Sequence, residues 1–212
     1  MGEGLISAAG ITFRMLSLSD GEFLVRLARK AISEYLEKGE KIDAKAPKHL
    51  MEPRGVFVTL AEYPSHELRG CIGYPRPHEP LADAIISMAI EAATGDPRFP
   101  PLGKEELGKT IIEVSVLTVP EPVEVKDRKK LAEEVRVGMD GLIVEAGWQS
   151  GLLLPQVPVE QKWGSEEFLC QSCWKAGLPP DSWLKPGVKI LRFQAQIFAE
   201  ESPGGRIEEK KL

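Results

Sequence analysis

The sequence predicts an α+β protein built from two copies of one structural unit. Three observations predict it. Segments rich in β-branched residues alternate with segments of helical apolar spacing. The order strand, turn, strand, helix, Pro-Pro, strand occurs twice, with Pro100-Pro101 matching Pro179-Pro180. At that same offset Ile112, Val114 and Val116 fall on Leu191, Phe193 and Ala195, so the strands agree in phase. The repeats span about 54–118 and 140–198, and a pseudo-twofold arrangement with the strands sharing one curved sheet follows from them.

The elements run in this order. Ser19 and Glu22 have capping-box spacing and open a helix carrying Leu24, Leu27, Ala28, Ala31, Ile32 and Tyr35, stopped by Gly39. VFVTL at 56–60 is a strand apolar on both faces, EYPSHE a turn, and LRGCIG at 68–73 the returning strand. Pro80 starts a helix with the stripe Leu81, Ala84, Ile85, Met88, Ala89 and Ala92. DPRFPPL at 96–102 is a stiff connector, because each Pro fixes its own φ and restricts the residue before it.

IIEVSVL at 111–117 is a strand with Ile112, Val114 and Val116 on one face. The charged run 126–136 is a short surface helix with a solvated face. GLIVE at 141–145 and SGLLL at 150–154 form a hairpin. Ser165 caps a helix ended by Gly177. KILRFQAQIF at 189–198 is the closing strand, and the tail from Ser202 is polar and loose.

Composition narrows the function classes. With 212 residues and 42% hydrophobic content the chain has the make-up of a globular protein. A net charge of −5 gives no global field toward nucleic acid or anionic membrane. Three cysteines, Cys71, Cys170 and Cys173, fit a reducing compartment rather than a disulfide framework. The opening MGEGLISAAGITFRML does not read as a signal peptide, because its apolar run is broken by Gly10 and Thr12. No stretch approaches the roughly 20 apolar residues of a membrane span. The cytoplasm is the expected location.

LRGCIG carries the chemistry. In an extended strand Arg69, Cys71 and Gly73 share one face, so the Arg69 guanidinium stands where it can favour the Cys71 thiolate, the reactive form. Gly70 and Gly73 leave room for a ligand or another backbone. The plainer reading is a small buried thiol in a bulged strand. In the second copy Ser150 and Leu152 stand at the places of Arg69 and Cys71, which reads as specialisation of one half, with sequence drift as the plainer alternative.

The chain resembles the AMMECR domain family, named for the Alport syndrome, midface hypoplasia and elliptocytosis chromosomal region. The resemblance runs from about residue 16 to 200 and rests on RGVFVTL at 54–60, LRGCIG at 68–73, DPRFPPL at 96–102, EVSVL at 113–117, GLIVE at 141–145, GLLLPQV at 151–157 and KAGLPP at 175–180. It implies a domain over 1–201 with repeated halves around a barrel-like, mostly antiparallel sheet and a cleft, followed by a flexible tail at 202–212. It carries over Arg69, Gly70, Cys71 and Gly73 as site residues and, from its second tier of motifs, Asp96, Arg98 and Gln156. Cys173 fits the family pattern and Cys170 departs from it. The resemblance implies Memo-like and radical-SAM proteins as partners in a modification or redox pathway acting on nucleobases.

Two expectations are open. In one, Cys71 is a nucleophile or redox thiol, Arg69 binds an anion or activates it, and Asp96, Arg98 and Gln156 shape the pocket. In the other, the same strand is presented to a protein partner without catalysis. No cofactor is expected, since no GxGxxG, Walker loop or GxSxG is present. No metal is expected: Cys170 and Cys173 are one CxxC without a second pair, and His49, His66 and His78 lack ligand spacing. A site joining Cys71 and His78 across the fold is the alternative. The aromatics are too scattered for a base-stacking platform.

Overall fold

The computed structural model describes residues 5–8 and 11–211. The expectation that the opening segment is not a signal peptide, which turned partly on Gly10, falls on residues outside those described. Strands β1 (Leu5–Ala8) and β2 (Ile11–Arg14) form a two-stranded sheet. From residue 12 onward the described chain divides into two compact units, one of 12–119 and 196–211, the other of 120–195.

The first unit begins with α1 (Leu18–Lys38). Its cap is Ser17, two residues earlier than the spacing of Ser19 and Glu22 suggested. Ser17 Oγ accepts from the Asp20 N–H at 3.2 Å, and the Asp20 carboxylate accepts from the Ser17 N–H at 2.9 Å. With Ser17 as N-cap, Asp20 stands at N3 and closes the reciprocal pair. Gly39 ends the helix at φ +72°, where a side chain would strain the backbone.

Strands β3 (Gly55–Glu62), β4 (Leu68–Tyr74) and β5 (Thr110–Leu117) follow, with α2 (Leu81–Thr94) and the short α3 (Lys104–Leu107) between β4 and β5. β3 pairs antiparallel with β4 on one side and β5 on the other. Val56, Val58, Leu60, Ile112, Val114 and Val116 meet the stripes of α1 and α2, through Leu24, Ala28, Ile32, Leu81, Ile85 and Ala89, in one buried cluster. Each fully buried Leu or Ile there contributes about 1.5–3 kcal/mol.

In the second unit β6 (Glu121–Pro122), β7 (Gly141–Ala146), β8 (Gln149–Leu153) and β9 (Lys189–Phe193) make a four-stranded sheet of order β6-β9-β7-β8. Between β8 and β9 lie α4 (Gln156–Glu160) and α5 (Ser165–Lys175). Phe168, Leu169 and Cys173 of α5 pack on Leu142, Val144 and Ile190. The charged run forms a short 3-10 helix, Arg128–Glu133, that exposes Lys129, Lys130 and Glu133 to solvent and buries Leu131. Arg128 departs from the solvated face and donates to the carbonyls of Trp183 and Val188.

The expected closing strand is two strands. β9 stops at Phe193, and β10 (Ala195–Glu200) lies beside β5 in the first unit, giving the order β11-β10-β5-β3-β4. The supposed loose tail supplies β11 (Ile207–Lys210), paired antiparallel with β10 and anchored by a buried Ile207.

The single shared, barrel-like sheet is therefore corrected: the two larger sheets are separate, and neither closes. The expected strand phase is corrected as well. Ile112 faces its unit's helices, and the residue doing so in β9 is Ile190, not Leu191. A one-residue slip reverses the faces of a strand, so the Pro-Pro offset does not align the two strands. Among the described residues no helix is long and apolar enough to cross a membrane.

Candidate functional site

The site is built on β4, the connector 96–102 and α3, all in the first unit. β4 is not a regular strand. Leu60 pairs with Gly70 but Ala61 pairs with Leu68, so Arg69 is the extra residue of a β-bulge. A bulge re-aims the side chain it carries. Arg69 consequently does not stand over Cys71. Its Nε and Nη2 donate to Glu106 of α3 at 3.0 and 3.3 Å, and its guanidinium lies 5.9 Å from the Phe99 ring centre. Its side chain is only 7% exposed, and Nη1 is enclosed without a hydrogen-bond partner.

Cys71 is half-buried. Strand register sets Thr59 opposite it, and Thr59 Oγ1 donates to Cys71 Sγ at 3.3 Å. Its backbone N–H donates to Asp96 Oδ2 at 2.8 Å. Asp96 sits just beyond Gly95, the C-cap of α2, and is buried. It also accepts from Arg98 through Nε at 2.9 Å, Nη2 at 2.7 Å and the backbone N–H at 3.1 Å. Arg98 Nη2 reaches the Cys71 carbonyl at 3.2 Å, and the Arg98 side chain remains 52% exposed. The cation beside the thiol is thus Arg98 in place of the expected Arg69.

Burial pushes the Cys71 thiol above its ordinary value. The hydrogen bond from Thr59 and the charge of Arg98 pull it down, Glu113 and Asp96 push it up, and burial prevails. The arrangement holds a protonated thiol at neutral pH rather than the activated thiolate expected from sequence. Asp96 is held well below the usual carboxylate range by the Arg98 guanidinium, against its own burial and with help from the two backbone N–H groups. With both oxygens occupied it is a clamp, not a base.

Asp96→Asn is expected to cost about 2–3 kcal/mol, because an amide NH₂ would face donors where a carboxylate now accepts. The carboxyl is depressed in the folded state, so its contribution is complete above the unfolded value of about 3.9 and is lost as pH falls below that. Acid titration of stability should therefore be shallower in Asp96→Asn than in wild type below about pH 4. Equal slopes would rule out the clamp.

The glycines of LRGCIG do not open space for a ligand. A Cβ on Gly70 would lie 2.1 Å from the Ala92 carbonyl oxygen of α2, and one on Gly73 would lie 2.2 Å from the Val56 carbonyl oxygen. Both positions are closed by backbone. Gln156 belongs to the second unit, at the start of α4, where its Oε1 is enclosed without a hydrogen-bond partner.

A sequence profile of the AMMECR1 family matches residues 25–198. The chain belongs to the AMMECR1 family. A Methanopyrus kandleri protein is 56% identical over 199 residues, covering 93% of this chain and 96% of the relative. A Thermococcus gammatolerans protein is 57% identical over 197 residues, covering 91% and 96%. The crystal structure of an uncharacterized protein from Pyrococcus horikoshii matches with a TM-score of 0.87 at 54% identity, covering 91% of this chain and 97% of that one.

Within this AMMECR1 chain, sequence reading missed Thr59, Phe99 and Glu106. Thr59 is visible only through strand register, and Glu106 only once the bulge has redirected Arg69. Among the described residues no group of three or more His, Cys, Asp or Glu is placed to hold a metal. His78 packs edge-on against Tyr74, with ring centres 5.4 Å apart. Cys173 is buried in the α5 core and its thiol is pushed up to about 11 by that burial.

Proposed function

We propose that this chain is a component of an intracellular modification or redox pathway, acting on nucleobases together with Memo-like and radical-SAM proteins. Its own part is performed at the LRGCIG strand. The observation that supports this reading is the clamp on Cys71: one buried carboxylate holds both the Cys71 backbone and the half-exposed Arg98 guanidinium. Arg98 then presents donors for a carbonyl or oxyanion beside a protonated thiol. Such a thiol waits for a partner or substrate to take its proton.

The same reading treats the two strand–strand–helix–strand runs as copies of one unit. Each has a hairpin whose first strand also pairs with the closing strand, in the orders β5-β3-β4 and β9-β7-β8. Each also has a glycine pressed on the end of its helix: Gly70 against Ala92, and Gly151 against Lys175 and Ala176.

The test is alkylation of the folded chain with iodoacetamide across pH, alone and with Memo-like and radical-SAM partners plus S-adenosylmethionine. Alone, Cys71 should titrate above an unstructured thiol. Arg98→Ala should raise it further, and Arg69→Ala should leave it unchanged. With partners, Cys71 reactivity should change at least tenfold, and Cys71→Ser should abolish any product on a nucleobase substrate. If partners leave the thiol unaltered and no Cys71-dependent product forms, the pathway role is lost. A non-catalytic binding module that presents the same strand to a protein partner then takes first place.

A further inference from the structure

We infer that β11 controls the reactivity of Cys71 through Glu113, a regulation that rests on the reading of the LRGCIG strand as the working site. Strand register supplies the link. Thr59 of β3 stands opposite Cys71 of β4 on one side and opposite Glu113 of β5 on the other. Residues directly opposite one another project from the same face of a sheet, so the three side chains form one row. That face is turned away from α1 and α2, because the alternate residues Val58, Leu60 and Ile112 pack on those helices. In β5 every residue but Glu113 is buried, and β5 is the middle strand of its sheet. A carboxylate at such a place is costly unless it is paired.

Lys210 provides the pairing. β10 lies between β11 and β5, and Lys210 reaches past it to place Nζ 2.7 Å from Glu113 Oε2. The Glu113 side chain is 18% exposed. Two strand spacings, about 9–10 Å between Cα atoms, separate Glu113 from Cys71, and across a partly buried sheet face a charge is still felt at that range. The other charges facing the thiol are Asp96 and Arg98, which neutralise each other within one connector. Arg69 is turned to Glu106, and Glu208, beside Lys210 on the same face of β11, is exposed. Glu113 differs from Asp96 in that its countercharge comes from a separate, outer strand. With Lys210 seated, the field of Glu113 is offset and the thiol ionises more readily. With Lys210 withdrawn, or its charge removed as by acetylation, Glu113 holds the thiol protonated.

The test is the iodoacetamide rate of the full chain, followed on the Cys71 peptide by mass spectrometry across pH. Below the thiol titration, at about pH 8, the rate follows the thiolate fraction. Glu113→Gln should raise that rate about two- to tenfold, as expected for removing a like charge at this range. Lys210→Met should lower it about twofold, and should lose that effect in the Glu113→Gln background. Loosening of the sheet would uncover the thiol and speed alkylation, so a slowing by Lys210→Met is a result that a merely structural role does not give. Lys38→Met removes an exposed charge from α1, on the other face of the sheet, and should change nothing. The proposal is overturned if Glu113→Gln leaves the rate unchanged, or if Lys210→Met fails to slow it. If both variants act as stated and partner proteins do not alter the thiol, control by β11 stands and the pathway role falls. If partners alter the thiol and neither variant does, control by β11 falls alone.

Discussion

Glu200→Leu is expected to lower the stability of the chain by about 3–5 kcal/mol, the range for breaking a buried ion pair from one side. Glu200 ends β10 with its side chain fully buried. It accepts from Arg29 Nε of α1 at 2.6 Å and from the Ile112 N–H of β5 at 3.0 Å. Arg29 in turn donates to the carbonyls of Leu107 and Thr110. One carboxylate thus joins the returning strand to the first helix and to the strand beside it. Without it the guanidinium keeps only neutral acceptors, and the Ile112 N–H has none in its place. The pair is no gain over apolar packing in itself, so Arg29→Met with Glu200→Leu should recover much of the loss. Urea unfolding of the three proteins decides it. A Glu200→Leu loss below 1 kcal/mol would dismiss the account.

Glu200 also shows where sequence reading reached its limit. The interior helices were legible because their apolar spacing is imposed by burial: Leu81, Ala84, Ile85, Ala89 and Ala92 all lie in the core of the first unit. β5 was legible for the same reason, since Ile112, Val114 and Val116 share the buried face. The break between β9 and β10 was not, because KILRFQAQIF alternates without interruption and only strand pairing shows which part joins which sheet. β11 was hidden because a single buried Ile207 stands in a charged segment, and it becomes a strand through its pairing with β10.

At the candidate site the residue types were legible and their roles were not. Arg69 and Cys71 alternate correctly on paper, but the bulge at Arg69 cancels the alternation. Asp96 and Arg98 came from motif resemblance as residues that shape a pocket, not as the groups that hold Cys71. The register between β3 and β4, the turn after α2 and the length of the Arg98 side chain together bring them to Cys71. None of these is a property of a short window of sequence.

Gly70→Ala is expected to destabilise the chain by about 3 kcal/mol, at the upper end for overpacking. The added carbon would stand 2.1 Å from the Ala92 carbonyl oxygen and 3.1 Å from its carbon, both backbone atoms of α2. A flexible side chain can swing aside, but this carbonyl is fixed in the last turn of a helix packed on β3 and β4. Relief requires β4 and α2 to separate. For a chain of this size the loss corresponds to a fall in Tm of roughly 6–12 °C. Gly187→Ala is the matched control, because nothing lies within 4 Å of its added carbon and its φ is ordinary; its stability should stay within about 0.5 kcal/mol of wild type. Separation would also reach the thiol. α2 leads through Gly95 directly into Asp96, whose carboxylate holds the Cys71 N–H. Gly70→Ala should therefore loosen the clamp, admit water and bring the Cys71 titration back toward that of an unstructured thiol. Thermal unfolding and iodoacetamide rates on the same variant measure both effects. If Tm moves by less than 2 °C, close helix–strand packing is not why glycine stands in the third place of LRGCIG.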